Sequence, residues 1–193
     1  MIIKDNFLPK PLFDQLQHQV LSVDFPWYYS AQVSLPPGQF NFLDPLAKET
    51  DGFNHRTYDR EDSNMSFFFQ QCRPFFECVA REFGYTHEKL IRARFSMKHP
   101  RVGWKEEYYN LPHVDYFYPH DTIIYYLNDS DGDTRIFEEF FTGFPEKDLF
   151  KTQQRIKPVA NRLVLFNGLQ YHTAANPIES TRRVIFNINL DPL

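Results

Sequence analysis

The chain has 193 residues, enough for one ordinary domain and too few for two independent ones. Its 42% hydrophobic and 24% charged content is that of a globular protein and excludes a disordered chain. A formal charge of −4 leaves no broad basic surface for duplex nucleic acid, two cysteines exclude a disulfide framework, and no apolar run is long enough to span a bilayer.

The opening Met1-Ile2-Ile3-Lys4-Asp5 lacks the basic-then-apolar pattern of a secretory signal, so a cytoplasmic protein without a membrane partner is expected. Pro9 and Pro11 suit a helix entry, and Leu12, Phe13, Leu16 and Val20 recur at helical spacing. Pro26, Pro36, Pro37, Gly38 and Pro45 then break the chain into an irregular segment, and residues 28–65 carry no readable motif. A second helix is predicted from Pro74 to Phe83, with Phe75, Phe76, Val79, Ala80 and Phe83 on one face and Gly84 as its C-terminal cap. Cys72 and Cys78 read as belonging to that one helical stretch.

After about Leu90 the period changes from helical to alternating. Arg92–Lys98, part of Leu111–Tyr118, Thr122–Leu127, Thr134–Phe137, Arg155–Val159, Arg162–Phe166 and Arg183–Leu190 read as short strands separated by turns. Asn128-Asp129-Ser130-Asp131-Gly132-Asp133 is the clearest turn string. The expectation is a single domain, 1–193, with a helical and loop collar over 1–90 and an antiparallel sandwich or jelly roll over 91–193.

His113 and Asp115 occupy alternate positions in Pro112-His113-Val114-Asp115, so on a strand both side chains share a face. His172, between two later strand-like segments, could supply a third donor. Two histidines and a carboxylate form the facial triad of non-haem iron oxygenases, which leaves coordination positions for a chelating co-substrate and dioxygen. Alone, a His-x-Asp tripeptide is weak, and the downstream strand strengthens it. In Arg183–Leu190, Val184, Phe186, Ile188 and Leu190 form an apolar face that would pack on helices. Arg183, Ile185, Asn187 and Asn189 form a mixed face that could line an interior, where Arg183 could hold a carboxylate. Arg182 is the rival, but period two sends it outward. The other histidines, His18, His55, His87, His99 and His120, have no partner at ligand spacing and are expected at the surface.

In this order, His113-Val114-Asp115, Ile124-Tyr125-Tyr126-Leu127-Asn128, Gly132-Asp133-Thr134-Arg135-Ile136-Phe137, Asn161–Phe166, His172 and Thr181-Arg182-Arg183 resemble the Fe(II)- and 2-oxoglutarate-dependent dioxygenases. The likeness is greatest to their prolyl-4-hydroxylase branch and covers Ile91–Leu193. It implies a double-stranded β-helix with N-terminal helices packed on the major sheet, and His113, Asp115 and His172 as iron ligands. It also implies Tyr126, Thr134 and the basic residue of the last strand around 2-oxoglutarate, with O2 as oxidant and ascorbate as an optional reductant. The family's usual spacing from the second histidine favours Arg182, whereas alternation favours Arg183. Without the resemblance, Tyr126 reads first as a core or surface tyrosine of an aromatic-rich sheet, with Ile124 and Thr122 on its face and Ile123 and Tyr125 on the other.

The implied reaction couples oxidative decarboxylation of 2-oxoglutarate to succinate and CO2 with hydroxylation of a C–H bond. A peptide or protein substrate, prolyl included, is the leading expectation, and a nucleobase or small metabolite the second. A jelly-roll binding module without catalysis is the third, although such a module has no need of the triad and Arg183 together. Arg101–Asn110 is expected to overhang the mouth, and Glu138–Gln154, with Phe140, Phe141, Phe144 and Phe150, to form a second lid. Oligomeric state has no signature in the sequence.

Overall fold

The computed structural model describes residues 1–31, 44–62, 65–143 and 150–193. Pro36, Pro37, Gly38 and Phe144, named above as chain breaks and as part of a lid, lie outside the described residues. Strands β1 (Ile2–Lys4), β2 (Tyr28–Ser30), β3 (Ala47–Lys48) and β4 (Gly52–Asp59) come from the first third of the chain, with helix α1 (Lys10–Val20) between β1 and β2. Helices α2 (Phe68–Gln71) and α3 (Arg73–Phe83) follow. The remainder forms β5 (Leu90–Lys98), β6 (Tyr109–Asn110), β7 (Asp121–Tyr126), β8 (Thr134–Phe140), β9 (Thr152–Ile156), β10 (Leu163–Asn167), β11 (Gln170–Ala174) and β12 (Arg183–Leu190).

The major sheet runs β1-β10-β7-β12-β5-β4-β2 with every neighbouring pair antiparallel. The minor sheet, β11-β8-β9, is also antiparallel, and β3 pairs with β6 in parallel. Thus the first ninety residues supply strands to the major sheet as well as helices. β4 was hidden in the sequence because Gly-Phe-Asn-His-Arg-Thr-Tyr-Asp mixes polar and aromatic residues on both faces. No helix among the described residues is long and apolar enough to cross a membrane.

Two apolar layers hold the sheets and helices together. On one side of the major sheet, Phe13, Leu16 and Val20 of α1 and Phe75 and Val79 of α3 pack against Phe95, Tyr125, Val184, Phe186 and Ile188. This is the face that alternation along β12 assigns to the helices. Phe95 and Phe186 stack with centroids 4.1 Å apart, across the β5–β12 pair in which they lie opposite one another. On the other side, Ile124, Tyr126, Val164, Phe166 and Ile185 meet Ile136 and Ile156 of the minor sheet. α3 ends at Gly84, whose φ of 84° provides the left-handed cap that a side chain would strain. Cys72 sits at the junction of α2 and α3 rather than inside one helix, and both cysteines are buried free thiols.

Candidate active site

The segment between β6 and β7, which carries His113 and Asp115, and strand β11, which carries His172, bring the triad together in one cleft. The segment around His113 is not the strand that its alternation predicts. It makes only an isolated antiparallel bridge to His172, because Pro112 has no N–H for a ladder and the chain bends just after Val114. The bridge is reciprocal, with each backbone N–H donating to the other residue's carbonyl at 3.0 Å. That pairing sets the two rings side by side, 4.7 Å between centroids.

One donor atom from each of His113, Asp115 and His172 can be chosen so that all lie within 4.8 Å of one another. His172 Nε2 is 3.9 Å from Asp115 Oδ2. The Nδ1 of His113 faces the Leu111 carbonyl at 3.2 Å, and the Nδ1 of His172 faces the Gln170 carbonyl at 3.1 Å. A carbonyl accepts only, so each Nδ1 carries the proton and each Nε2 keeps its lone pair for the site. Burial pushes the His113 imidazole down to about 3, with the neighbouring His172 adding to it, and burial likewise lowers His172. Burial alone would raise the Asp115 carboxyl, but Arg92, the two histidines and Arg94 hold it well below the usual carboxylate range. Two neutral imidazoles and an ionised carboxylate are the protonation states that a divalent metal requires, so this donor set fits iron.

Asp115 is itself held. Arg92 Nη2 donates to Oδ1 at 2.7 Å, while the amides of Asn187 and Asn189 donate to Oδ2 at 3.3 and 2.8 Å. Sequence reading placed the two asparagines on the inner face of β12 without assigning them a task, and it missed Arg92. The available signal was the alternation of β5, which aims Arg92, Arg94, Ser96 and Lys98 to one side.

Farther along the same cleft lie Arg183, Tyr126 and Thr134, all buried. Arg183 Nη2 and the Tyr126 hydroxyl both donate to Thr134 Oγ1, at 2.6 and 2.7 Å. The guanidinium stands over the Tyr126 ring, 5.6 Å from its centroid. Among the described residues Arg183 has no ion pair, and its buried Nε has no hydrogen-bond partner. Arg182 precedes β12, is half-buried, and does not line the pocket. Lys98, opposite Arg183 in the β5–β12 register, is buried as well. Its ammonium donates to Thr50 Oγ1 at 2.7 Å, to Asn110 Oδ1 at 3.2 Å and to the backbone carbonyls of Thr50 and Asp51.

The triad, Asn187, Thr134, Lys98 and Arg183 line one pocket of about 60 Å³, with Asp115 the single carboxylate against Arg94, Lys98 and Arg183, whereas Tyr126, Arg92 and Asn189 are not part of its lining. A roomier cavity of about 510 Å³ lies beside α2 and α3 against Leu90 and Leu190, but none of the triad reaches it. Other expectations shift. His55 and His120 are buried rather than at the surface, 3% and 1% exposed. His55 is drawn in by the Pro26 carbonyl and Ser66 Oγ, each at 2.7 Å, and by the ring of Phe25. The Nδ1 of His120 meets the Tyr118 carbonyl at 2.8 Å. Trp104 and Glu106 line a separate cleft with Asp131, Asp133 and Arg155, so of the Arg101–Asn110 loop only Asn110 reaches the triad pocket. Phe141 and Phe150 pack with Tyr109, Val114, Phe137 and Tyr171 as a plug behind the ligand segment, whereas Phe140 is 48% exposed.

No protein-family profile matches the chain, and no curated protein sequence is significantly similar to it. Solved structures are similar in shape. The carbocyclase SnoK from nogalamycin biosynthesis, described as non-haem and α-ketoglutarate-dependent, matches with a TM-score of 0.59 at 12% identity, over 98% of this chain and 79% of that one. A prolyl 4-hydroxylase from Pseudomonas putida matches with a TM-score of 0.54 at 14% identity, over 100% of this chain and 92% of that one. A prolyl hydroxylase from Trichoplax adhaerens, solved with a hypoxia-inducible-factor peptide, matches with a TM-score of 0.57 at 16% identity, over 98% and 83%. The two antiparallel sheets of this chain, with helices on the outer side of the larger one, have the fold of the iron- and 2-oxoglutarate-dependent oxygenases.

Proposed function

We propose that the protein is an Fe(II)- and 2-oxoglutarate-dependent oxygenase with a double-stranded β-helix core, hydroxylating a C–H bond of a peptide or protein, prolyl included. The observation that carries this reading is the pairing of two features in one pocket. A donor set of two neutral histidines and one ionised carboxylate lies beside a buried, unpaired arginine. A buried guanidinium without an anion is costly, and a structural role would have supplied a carboxylate for it.

His113, Asp115 and His172 would hold the metal, with Arg92, Asn187 and Asn189 fixing the rotamer of the carboxylate. Arg183 and the Thr134 hydroxyl would receive the distal carboxylate of 2-oxoglutarate. Tyr126 keeps Thr134 oriented and closes the pocket from the side of Val164 and Ile185. When bound, iron and 2-oxoglutarate would supply oxidative decarboxylation to succinate and CO2 coupled to hydroxylation. Ile124, Ile136 and Ile185 keep water from the inner end.

A second reading, the same chemistry on a small metabolite, is favoured by the cationic lining of the pocket. Anaerobic addition of Fe(II) and 2-oxoglutarate, followed by succinate measurement in air, tests the reaction class. No metal-dependent 2-oxoglutarate binding and no succinate would overturn it. Succinate release stimulated by proline-containing peptides, and not by small metabolites or nucleosides, selects the first reading.

A further inference from the structure

One cation in the cleft acts on Asp115 only through space and has no hydrogen bond or ion pair of its own among the described residues. Arg94 lies on the inner face of β5, between Arg92 and Lys98, and lines the pocket with the triad. Across the sheet it is opposite Asn187 on one side and Arg56 on the other. Its neighbours are already engaged. Arg92 is paired with Asp115, and Arg56 with Asp59 and Asp62. Among the described residues Arg94 makes no hydrogen bond and no ion pair, and its Nε is buried without a partner. Burial, with Arg92 and Arg56 close by, pushes the guanidinium down to about 10, and Asp115, followed by Tyr116, acts in the other direction. Once Asp115 is committed to a metal, even that compensation shrinks.

Arg94 and the Lys98–Arg183 pair are separate anion positions. Four residues along a strand separate the two backbone positions by about 13 Å at the usual rise. The distal carboxylate of a co-substrate anchored at Arg183 therefore lies away from Arg94, and its other carboxylate would be held by the metal. Arg94 is instead beside Asn187, which donates to Asp115, and so stands at the metal end of the pocket.

We propose that the acceptor substrate of this site is an anion, whose carboxylate is received by the Arg94 guanidinium while the C–H to be oxidised lies next to the triad. This rests on the oxygenase reading above and deepens it, naming the chemistry of the substrate rather than of the co-substrate. The fork of N–H donors on arginine matches a carboxylate bidentately, and desolvation in the pocket strengthens the pairing. The carboxylate can belong to a free amino acid or to an acidic side chain within a peptide.

The test uses the full-length protein loaded anaerobically with Fe(II) and 2-oxoglutarate, with binding followed by calorimetry. One arm compares free L-proline, L-leucine and L-glutamate with their α-amides. The other compares a blocked Gly-Pro-Glu-Gly peptide with its Gly-Pro-Gln-Gly counterpart. In at least one arm the acid is expected to bind about thirtyfold tighter than its neutral partner. R94Q is expected to reduce that preference to less than about twofold. R94K, which keeps the charge and loses the fork, should fall between them and serves if R94Q fails to fold. Preference in the first arm assigns a free amino acid, and in the second an acidic peptide. No acid-over-neutral preference in either arm overturns the proposal, as does a preference that survives in R94Q. Loss of 2-oxoglutarate affinity in R94Q also overturns it, because Arg94 would then serve the co-substrate. Failure of the loaded complex to form at all would instead count against the oxygenase reading.

Discussion

Arg92 and Asp115 form a buried ion pair beside the triad, with Nη2 donating to Oδ1 at 2.7 Å and side chains 15% and 5% exposed. The geometry divides the carboxylate into two unequal oxygens. Oδ1 is committed to arginine, and Oδ2 is turned toward His172 while two asparagine amides donate to it. The register explains the arrangement. Arg92 lies opposite Asn189 on the β5–β12 pair, so both project to the same side beneath Asp115.

Removing Arg92 should therefore weaken metal binding more than it weakens the fold. R92M keeps much of the apolar stem and leaves the carboxylate free to rotate. Loss of an oriented partner beside a ligand typically costs about 10- to 100-fold in metal affinity. Calorimetric titration with Co(II) is expected to show a loss in that range. Retention of full affinity would mean that the asparagines alone orient the ligand.

Arg183 and Arg182 should separate cleanly. Truncating a buried charge partner costs about 2–5 kcal/mol, so R183Q is expected to raise the dissociation constant for 2-oxoglutarate by about thirtyfold or more. R182Q, outside the pocket, should change it by less than about twofold. Fluorescence or calorimetric titration under nitrogen measures both. The reverse result would reinstate the spacing expected from the resemblance over strand alternation.

Alternation made β12 legible because every second residue is apolar and the strand is regular throughout. The same logic was less sound for His113–Asp115. There the triad is assembled by one bridge to His172 and by a bend, and neither is encoded as a period. Strand β5 was legible as a strand, yet its polar face was not connected to the site, since the pairing of Arg92 with Asp115 depends on a loop's path. β4 was invisible because Phe53 and Tyr58, on opposite faces by number, are both only half-buried. Buried His55 and His120 show the limit of composition, since a histidine can be buried wherever a carbonyl receives its N–H.

Lys98 carries a pH dependence. Burial, with Arg183 close by, pushes its ammonium down to about 7, against the partial support of Asp51; Arg101 and Arg94 also disfavour the charge. Between about pH 7 and its ordinary 10.5, the unfolded chain holds a proton there that the folded chain has released. Raising the pH across that window therefore favours the folded state through this group, and below about 7 the penalty for the buried charge stays constant. Denaturant midpoints at pH 7 and 9 should show wild type gaining on K98M as the pH rises, by about 1 kcal/mol per pH unit. Parallel stability curves for the two proteins would show that Lys98 keeps an ordinary pKa.

Gly168 is fixed by its neighbour rather than by its backbone. It follows β10, and its N–H donates to the His120 carbonyl at 2.8 Å. A Cβ built on Gly168 would fall 2.1 Å from His120 Nε2 and 2.2 Å from Cδ2, well inside contact distance. The ring cannot simply swing out, because its Nδ1 is tied to the Tyr118 carbonyl and Tyr116 stands edge-on to it at 5.5 Å. G168A should therefore destabilise by about 1–3 kcal/mol, the usual cost of forcing a group into a filled interior. H120A removes the obstructing ring at a cost of its own. If the clash is the cause, the double variant G168A/H120A should be more stable than the sum of the single losses predicts, because the added methyl then occupies vacated space. Denaturant unfolding of the four proteins measures the coupling. Simple additivity would place the requirement for glycine in the turn between β10 and β11 instead.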